Sequence, residues 1–99
     1  MTMSLCAGGK LRLLRPGVIE HFCPGCCEIH AIDIHAISQN GHVIGWDGTT
    51  EYPSFGEPIR HETPHGRCEY VLRAGVLYFA SDSWHPLAGQ QRHLQEFPR

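Results

Sequence analysis

Apolar residues recur along this chain in short bursts that alternate with polar ones, and no window keeps them at helical spacing. Residues 10–14 (KLRLL), 18–22 (VIEHF), 29–37 (IHAIDIHAI), 42–46 (HVIGW), 69–73 (EYVLR) and 76–80 (VLYFA) are the clearest cases. They are short, mostly β-branched or aromatic, and bounded by turn residues, which predicts strands. Asn40-Gly41 between two of them signals a type I′ hairpin, because both turn positions need φ > 0. Ala74-Gly75 is a second, weaker signal of the same kind. The predicted fold is all-β: a small single-domain antiparallel sheet or sandwich of hairpins. Residues 47–66, DGTTEYPSFGEPIRHETPHG, read as one long loop with three prolines and three glycines. Such loops are usually functional. A helical turn over 89–95 fits between Pro86 and Pro98. The echo IHAID/IHAIS occurs only twice and is not a structural repeat.

Ninety-nine residues make one domain, 1–99, with residues 1–9 expected to be flexible. A chain this short buries only about two-thirds of its unfolded surface, so a covalent or metal staple would help it. The cysteines are Cys6, Cys23, Cys26, Cys27 and Cys68. An odd count with no secretory signal argues against a disulfide framework. No stretch approaches the roughly 18 apolar residues of a membrane span. The expected setting is therefore soluble and cytoplasmic, with reduced thiols. A net charge of -2 and a pI near 6.4 leave no basic footprint for nucleic acid. Lys10, Arg12 and Arg15 read as a solvated strand face.

The candidate chemistry centres on HFCPGCCEIH (21–30). Cys-Pro-Gly-Cys places two sulfurs on a tight turn, with φ fixed at Pro24 and left-handed geometry tolerated at Gly25. That suits a zinc knuckle, and it also suits a redox dithiol. A thioredoxin-type motif ends a strand and opens a helix within a β/α chain. Here four isoleucines follow and no helix–strand alternation does, so the metal reading is preferred. Cys68 and His85 flank the Ala74-Gly75 hairpin, and antiparallel pairing brings its ends to one side of the sheet. The expected zinc ligands are therefore Cys23, Cys26, Cys68 and His85, with His30 as a nearby competitor. Cys6 is read as a bystander.

The same residues carry a resemblance. FCPGC…H (residues 22–26, His30), W-x-G (Trp46, Gly48) followed by YPSFGEPI, C-x-[FY]-V-x-x-x-G (Cys68 to Gly75) and SD-x-x-H-x-L-A-G (Ser81 to Gly89) occur in that order. In that order they resemble a family of small phage and prophage zinc-binding proteins of unknown function, often mislabelled ammonia monooxygenase. Related domains also appear beside bacterial ubiquitin-like conjugation genes. The resemblance spans residues 18–98 and implies a small metal-binding domain of phage origin. Two positions depart from the pattern. Relatives tend to have Cys-His where this chain has Cys68-Glu69, and Asp-Cys-x-His where it has Asp82-Ser83-Trp84-His85. If the family's metal used a cysteine at position 83, the site here would be altered. Cys27 is then the alternative sulfur, although adjacent cysteines rarely ligate one ion together.

Other constellations carry less. His61-Glu62-Thr63-Pro64-His65 matches H-E-x-x-H, whose chemistry needs both histidines on one helical face. Pro64 and Gly66 oppose a helix, so the match reads as fortuitous. Asp82, Ser83 and His85 lack an oxyanion motif, and Asp82 is better read as orienting His85 or capping a turn. Core packing is the default for Trp46, Trp84, Tyr52, Phe55 and Tyr78, although Tyr52 and Phe55 on the proline-rich loop have the makings of contact anchors. His35, His42 and His93 show no pairing signal.

The expected function is that of a zinc-stapled interaction or adaptor module with a protein partner and no catalytic residue, its contact surface on 47–66. A closed four-ligand site leaves no water to activate, and metal binding would supply folding free energy, roughly 10–16 kcal/mol in small zinc peptides. One alternative is a zinc hydrolase with an open metal position and Glu28, Glu69 or Asp82 beside it. The other is a thiol–disulfide oxidoreductase with Cys23 attacking and Cys26 resolving.

Overall fold

Every strand ladder in the computed structural model is antiparallel and joins neighbours in the chain. The structure describes residues 3, 4 and 10–96. Among these residues eight strands form two meanders: β1 (Met3–Ser4), β2 (Arg12–Arg15), β3 (Val18–Cys23) and β4 (Glu28–Asp33) in one sheet, and β5 (Ile59–Thr63), β6 (Gly66–Arg73), β7 (Val76–Phe79) and β8 (Gln91–His93) in the other. No helix occurs among the described residues, and so none is long and apolar enough to cross a membrane. Cys6 and most of the segment expected to be flexible lie outside the described residues.

The alternation seen in the sequence sets which side chains face inward. On β3, Ile19, His21 and Cys23 are buried; on β4, His30 and Ile32; on β6, Cys68, Tyr70 and Leu72. Residues of both sheets meet in one core cluster, with Leu11, Ile19 and Ile32 from one side and Ile59, Tyr70, Leu72, Leu77 and Phe79 from the other. The sandwich is thus apolar over most of its interior. One end of it carries sulfur and imidazole.

Several elements differ from expectation, each for a local reason. The predicted 29–37 strand stops at Asp33, whose side chain accepts from His35 N–H at 2.9 Å while its carbonyl accepts from Ala36 N–H at 3.1 Å. That pair closes a turn. Residues 42–46 form only isolated bridges, Ile37↔Val43 and Trp46↔Phe55, since Gly45 at φ 67° interrupts the extended backbone. At Asn40-Gly41 only Gly41 has positive φ, and Gly41 N–H reaches Ser38 C=O. This is a three-residue loop ending in a left-handed glycine rather than a type I′ turn. Type I′ geometry appears instead at Ala74-Gly75, with φ 49° and 78° between the paired Arg73 and Val76.

The proline-rich loop is shorter than expected because β5 lies within it. What remains is ordered by Asp47, whose carboxylate accepts from Thr49 N–H, Thr49 O–H and Ser54 N–H. Phe55 is buried to 1% exposure, its N–H bonded to Leu72 C=O, so it is a core residue and not a surface anchor; Tyr52 stays exposed. No helical turn spans 89–95. Gly89 at φ 75° ends a tight turn, and Gln91–His93 pairs with Val76–Tyr78, which satisfies more backbone groups than one helical turn would. Phe55→Ala should cost about 3–5 kcal/mol in urea unfolding, and Tyr52→Ala under about 1 kcal/mol.

Candidate metal centre

The Cys-Pro-Gly-Cys segment forms the tip of the β3–β4 hairpin. Cys23 pairs with Glu28, Cys27 N–H closes on Cys23 C=O at 2.8 Å, and Cys27 takes the left-handed conformation at φ 57°. This winding points Cys26 N–H at Cys23 Sγ, 3.4 Å away. Cys68 enters from the facing sheet on β6. His30 enters from β4, diagonal to Cys23 across the ladder. The donor atoms of Cys23, Cys26, His30 and Cys68 all lie within 4.8 Å of one another.

This group could hold a metal ion. Ligands around tetrahedral zinc stand about 3.5–3.8 Å apart, given bonds near 2.3 Å to sulfur and 2.0 Å to nitrogen, so only a small contraction is required. All three thiols are free. Crowding sets their acidities apart: a hydrogen bond from Cys68 holds Cys23 below the ordinary thiol range. Burial, then the charge on Cys23, pushes Cys26 up, and the bond donated to Cys23 together with burial pushes Cys68 up. Three thiolates cannot coexist there without a cation.

The structure also places His85 at the cluster. Its Nε2 stands 3.3 Å from Cys68 Sγ, and its ring lies against Gly25, where a methyl group would come 2.2 Å from Cε1. His85 thus reaches Cys68, whereas His30 is the histidine of the four residues whose donor atoms lie within 4.8 Å of one another. Trp84 packs edge-on against His85, with ring centroids 5.6 Å apart.

Two further histidines stand beside His30. His61 sits opposite Cys68 on β5, its ring 3.8 Å from that of His30. His21 faces His30 across β3–β4, and its Nε2 lies 2.5 Å from the Tyr70 hydroxyl. Their signal was strand phase: each shares parity with a core or cysteine neighbour. Three imidazole nitrogens, on His30 (Nε2), His61 (Nε2) and His85 (Nδ1), are buried without a hydrogen-bond partner. Each such group costs about 1–3 kcal/mol unless something binds it.

The remaining candidates disperse. The H-E-x-x-H match lies on the β5–β6 hairpin, with His61 inward and His65 in the turn stacked on Trp84. Asp82 pairs with Arg67 instead of orienting His85. Ser83 Oγ donates to Glu69 C=O at 3.0 Å and accepts Glu69 N–H at 3.1 Å, which occupies it. Glu69 pairs with Arg60 and Arg67, and Glu28 is exposed. No protein-family model matches this chain, nor does any curated protein or solved structure.

A double-mutant cycle checks the packing of His85. Gly25→Ala should cost about 1–3 kcal/mol in the wild-type chain, by overpacking, and much less beside His85→Ala, where the ring is gone. Acid sensitivity checks the buried imidazoles. Burial lowers His21 from 6.5 to about 4, so below pH 6.5 the unfolded chain takes up a proton that the folded chain refuses. Stability should therefore fall as pH drops from 6.5 toward 4, with His21 contributing up to ~1.4 kcal/mol per unit. In His21→Gln that share of the slope in urea midpoint against pH should disappear.

Proposed function

We propose that this chain is a small zinc protein whose metal is structural and whose role is that of an interaction or adaptor module. The observation that carries the reading is the convergence of Cys23 and Cys26 from one sheet with Cys68 from the other, beside buried histidine. Thiolates with imidazole in a tetrahedral arrangement favour zinc among the common divalent ions. The fourth ligand is His30 or His85. Every one of these donors except Cys26 is buried, which suits a closed site that ties two meanders together.

The alternatives fare worse on specific grounds. For a hydrolase, the carboxylates weighed as general bases are exposed or ion-paired to arginine. For an oxidoreductase, the more acidic thiol, Cys23, is fully buried, while the more accessible Cys26 has the raised pKa. A nucleophilic dithiol needs the reverse. Support for a protein partner comes from the segment joining the sheets, where Ile37, Val43 and Tyr52 are between 53% and 62% exposed. The likeness to small phage and prophage proteins supports a partner from phage or host, met in the bacterial cytoplasm.

Elemental analysis of protein purified without added zinc tests the centre. One equivalent should be found, and Cys68→Ser should lose both the metal and the fold. A metal-free, folded wild type would sink the reading, and a reversible Cys23–Cys26 disulfide would replace it.

A further inference from the structure

Hydrogen-bond direction through the polar end of the core distinguishes the two candidate histidines. His21 Nδ1 lies 3.2 Å from the Phe22 carbonyl oxygen. A carbonyl only accepts, so that nitrogen carries the proton of a neutral, fully buried imidazole. His21 Nε2 is then a bare acceptor, and the Tyr70 hydroxyl 2.5 Å away must donate to it. With its hydrogen so committed, the Tyr70 oxygen can only accept from the ring nitrogen 3.3 Å away, His30 Nδ1. The proton of His30 therefore sits on Nδ1, which leaves Nε2 as a lone pair. That atom is buried, has no hydrogen-bond partner, and belongs to a residue whose donor lies within 4.8 Å of all three sulfurs.

We propose that Tyr70 is a positioning residue for the metal centre: the relay Phe22 C=O, His21, Tyr70, His30 fixes the tautomer that makes His30 Nε2 the fourth ligand, beside Cys23, Cys26 and Cys68. The inference rests on the zinc reading above. His85 then takes a different part, with Nε2–H donating to Cys68 Sγ across 3.3 Å and stabilising the charge of a bound thiolate. The reverse wiring would put two lone pairs face to face at His21 Nδ1 and Phe22 O. It would also leave a buried His30 Nε2–H with no acceptor. A metal-bound histidine that gives its second N–H to an oxygen is the usual outer-shell arrangement, and losing such a partner typically weakens metal binding 10–100-fold.

The test is long-range 1H–15N NMR on histidine-labelled protein loaded with 113Cd, together with zinc affinity from chelator competition. Wild type should show a cadmium–nitrogen coupling to His30 Nε2, with protons on His30 Nδ1, His21 Nδ1 and His85 Nε2. Tyr70→Phe should bind zinc on the order of 10–100-fold more weakly. His21→Gln, whose amide oxygen can still accept from Tyr70, should stay near the wild-type affinity. A purely structural role for Tyr70 predicts lost stability with unchanged affinity and tautomers, and that result overturns the relay. A cadmium coupling to His85 overturns the ligand assignment while leaving the zinc reading intact. Wild-type protein that binds neither ion overturns both.

Discussion

Three thiols drawn from two separate sheets meet in a space where they cannot all be ionised unless a cation joins them. That constraint organises the rest of the structure. Each meander is made of local hairpins whose ladders could form without the other. The joint between them is an apolar core over most of its length and a sulfur–imidazole cluster at one end. Apolar burial is non-directional, so it holds the sheets together without fixing their mutual setting. A metal ion bound at the cluster would be directional and would fix it. Cys23 and Cys26 on the β3–β4 tip must face Cys68 on β6.

The hairpins determine how precisely the donors arrive. The tip of β3–β4 winds one residue into the left-handed region at Cys27 and aims an amide at Cys23. Cys68 sits within a strand that is bonded on both sides, to β5 and β7. His85 comes from irregular chain that is nonetheless stitched to β6 by Trp84 N–H on Arg67 C=O and by Ser83 on Glu69. Side chains delivered by paired strands are held more closely than side chains on open loops. Ser83 serves as a backbone clamp on Glu69, and the three-sulfur set is Cys23, Cys26 and Cys68.

Around this set the interior is polar to an unusual depth for so small a fold. His21, His30, His61 and Tyr70 stack and bond among themselves. A half-satisfied network of this kind destabilises a core, whereas a completed one specifies a single arrangement. The unpartnered imidazole nitrogens show where completion is needed. Of the three residues that carry them, His30 belongs to the cluster, so an ion that balances the thiols would have it within reach.

The sequence by itself determined the all-β architecture and the tight Cys-Pro-Gly-Cys turn that holds Cys23 and Cys26 together. These follow from neighbours in the chain: alternation, turn chemistry and the spacing of two sulfurs. Tertiary structure alone decided the rest. β5 inside the proline-rich segment exists because β6 offers it an edge, and β8 because β7 does. Phe55 is buried because the chain between the sheets folds back onto Leu72. His61 joins the cluster through its register with Cys68, and Tyr70 stands between His21 and His30 only because two sheets face each other. Contacts across the sandwich link residues some 40 to 50 positions apart, and no local pattern encodes which of several histidines such a contact will select.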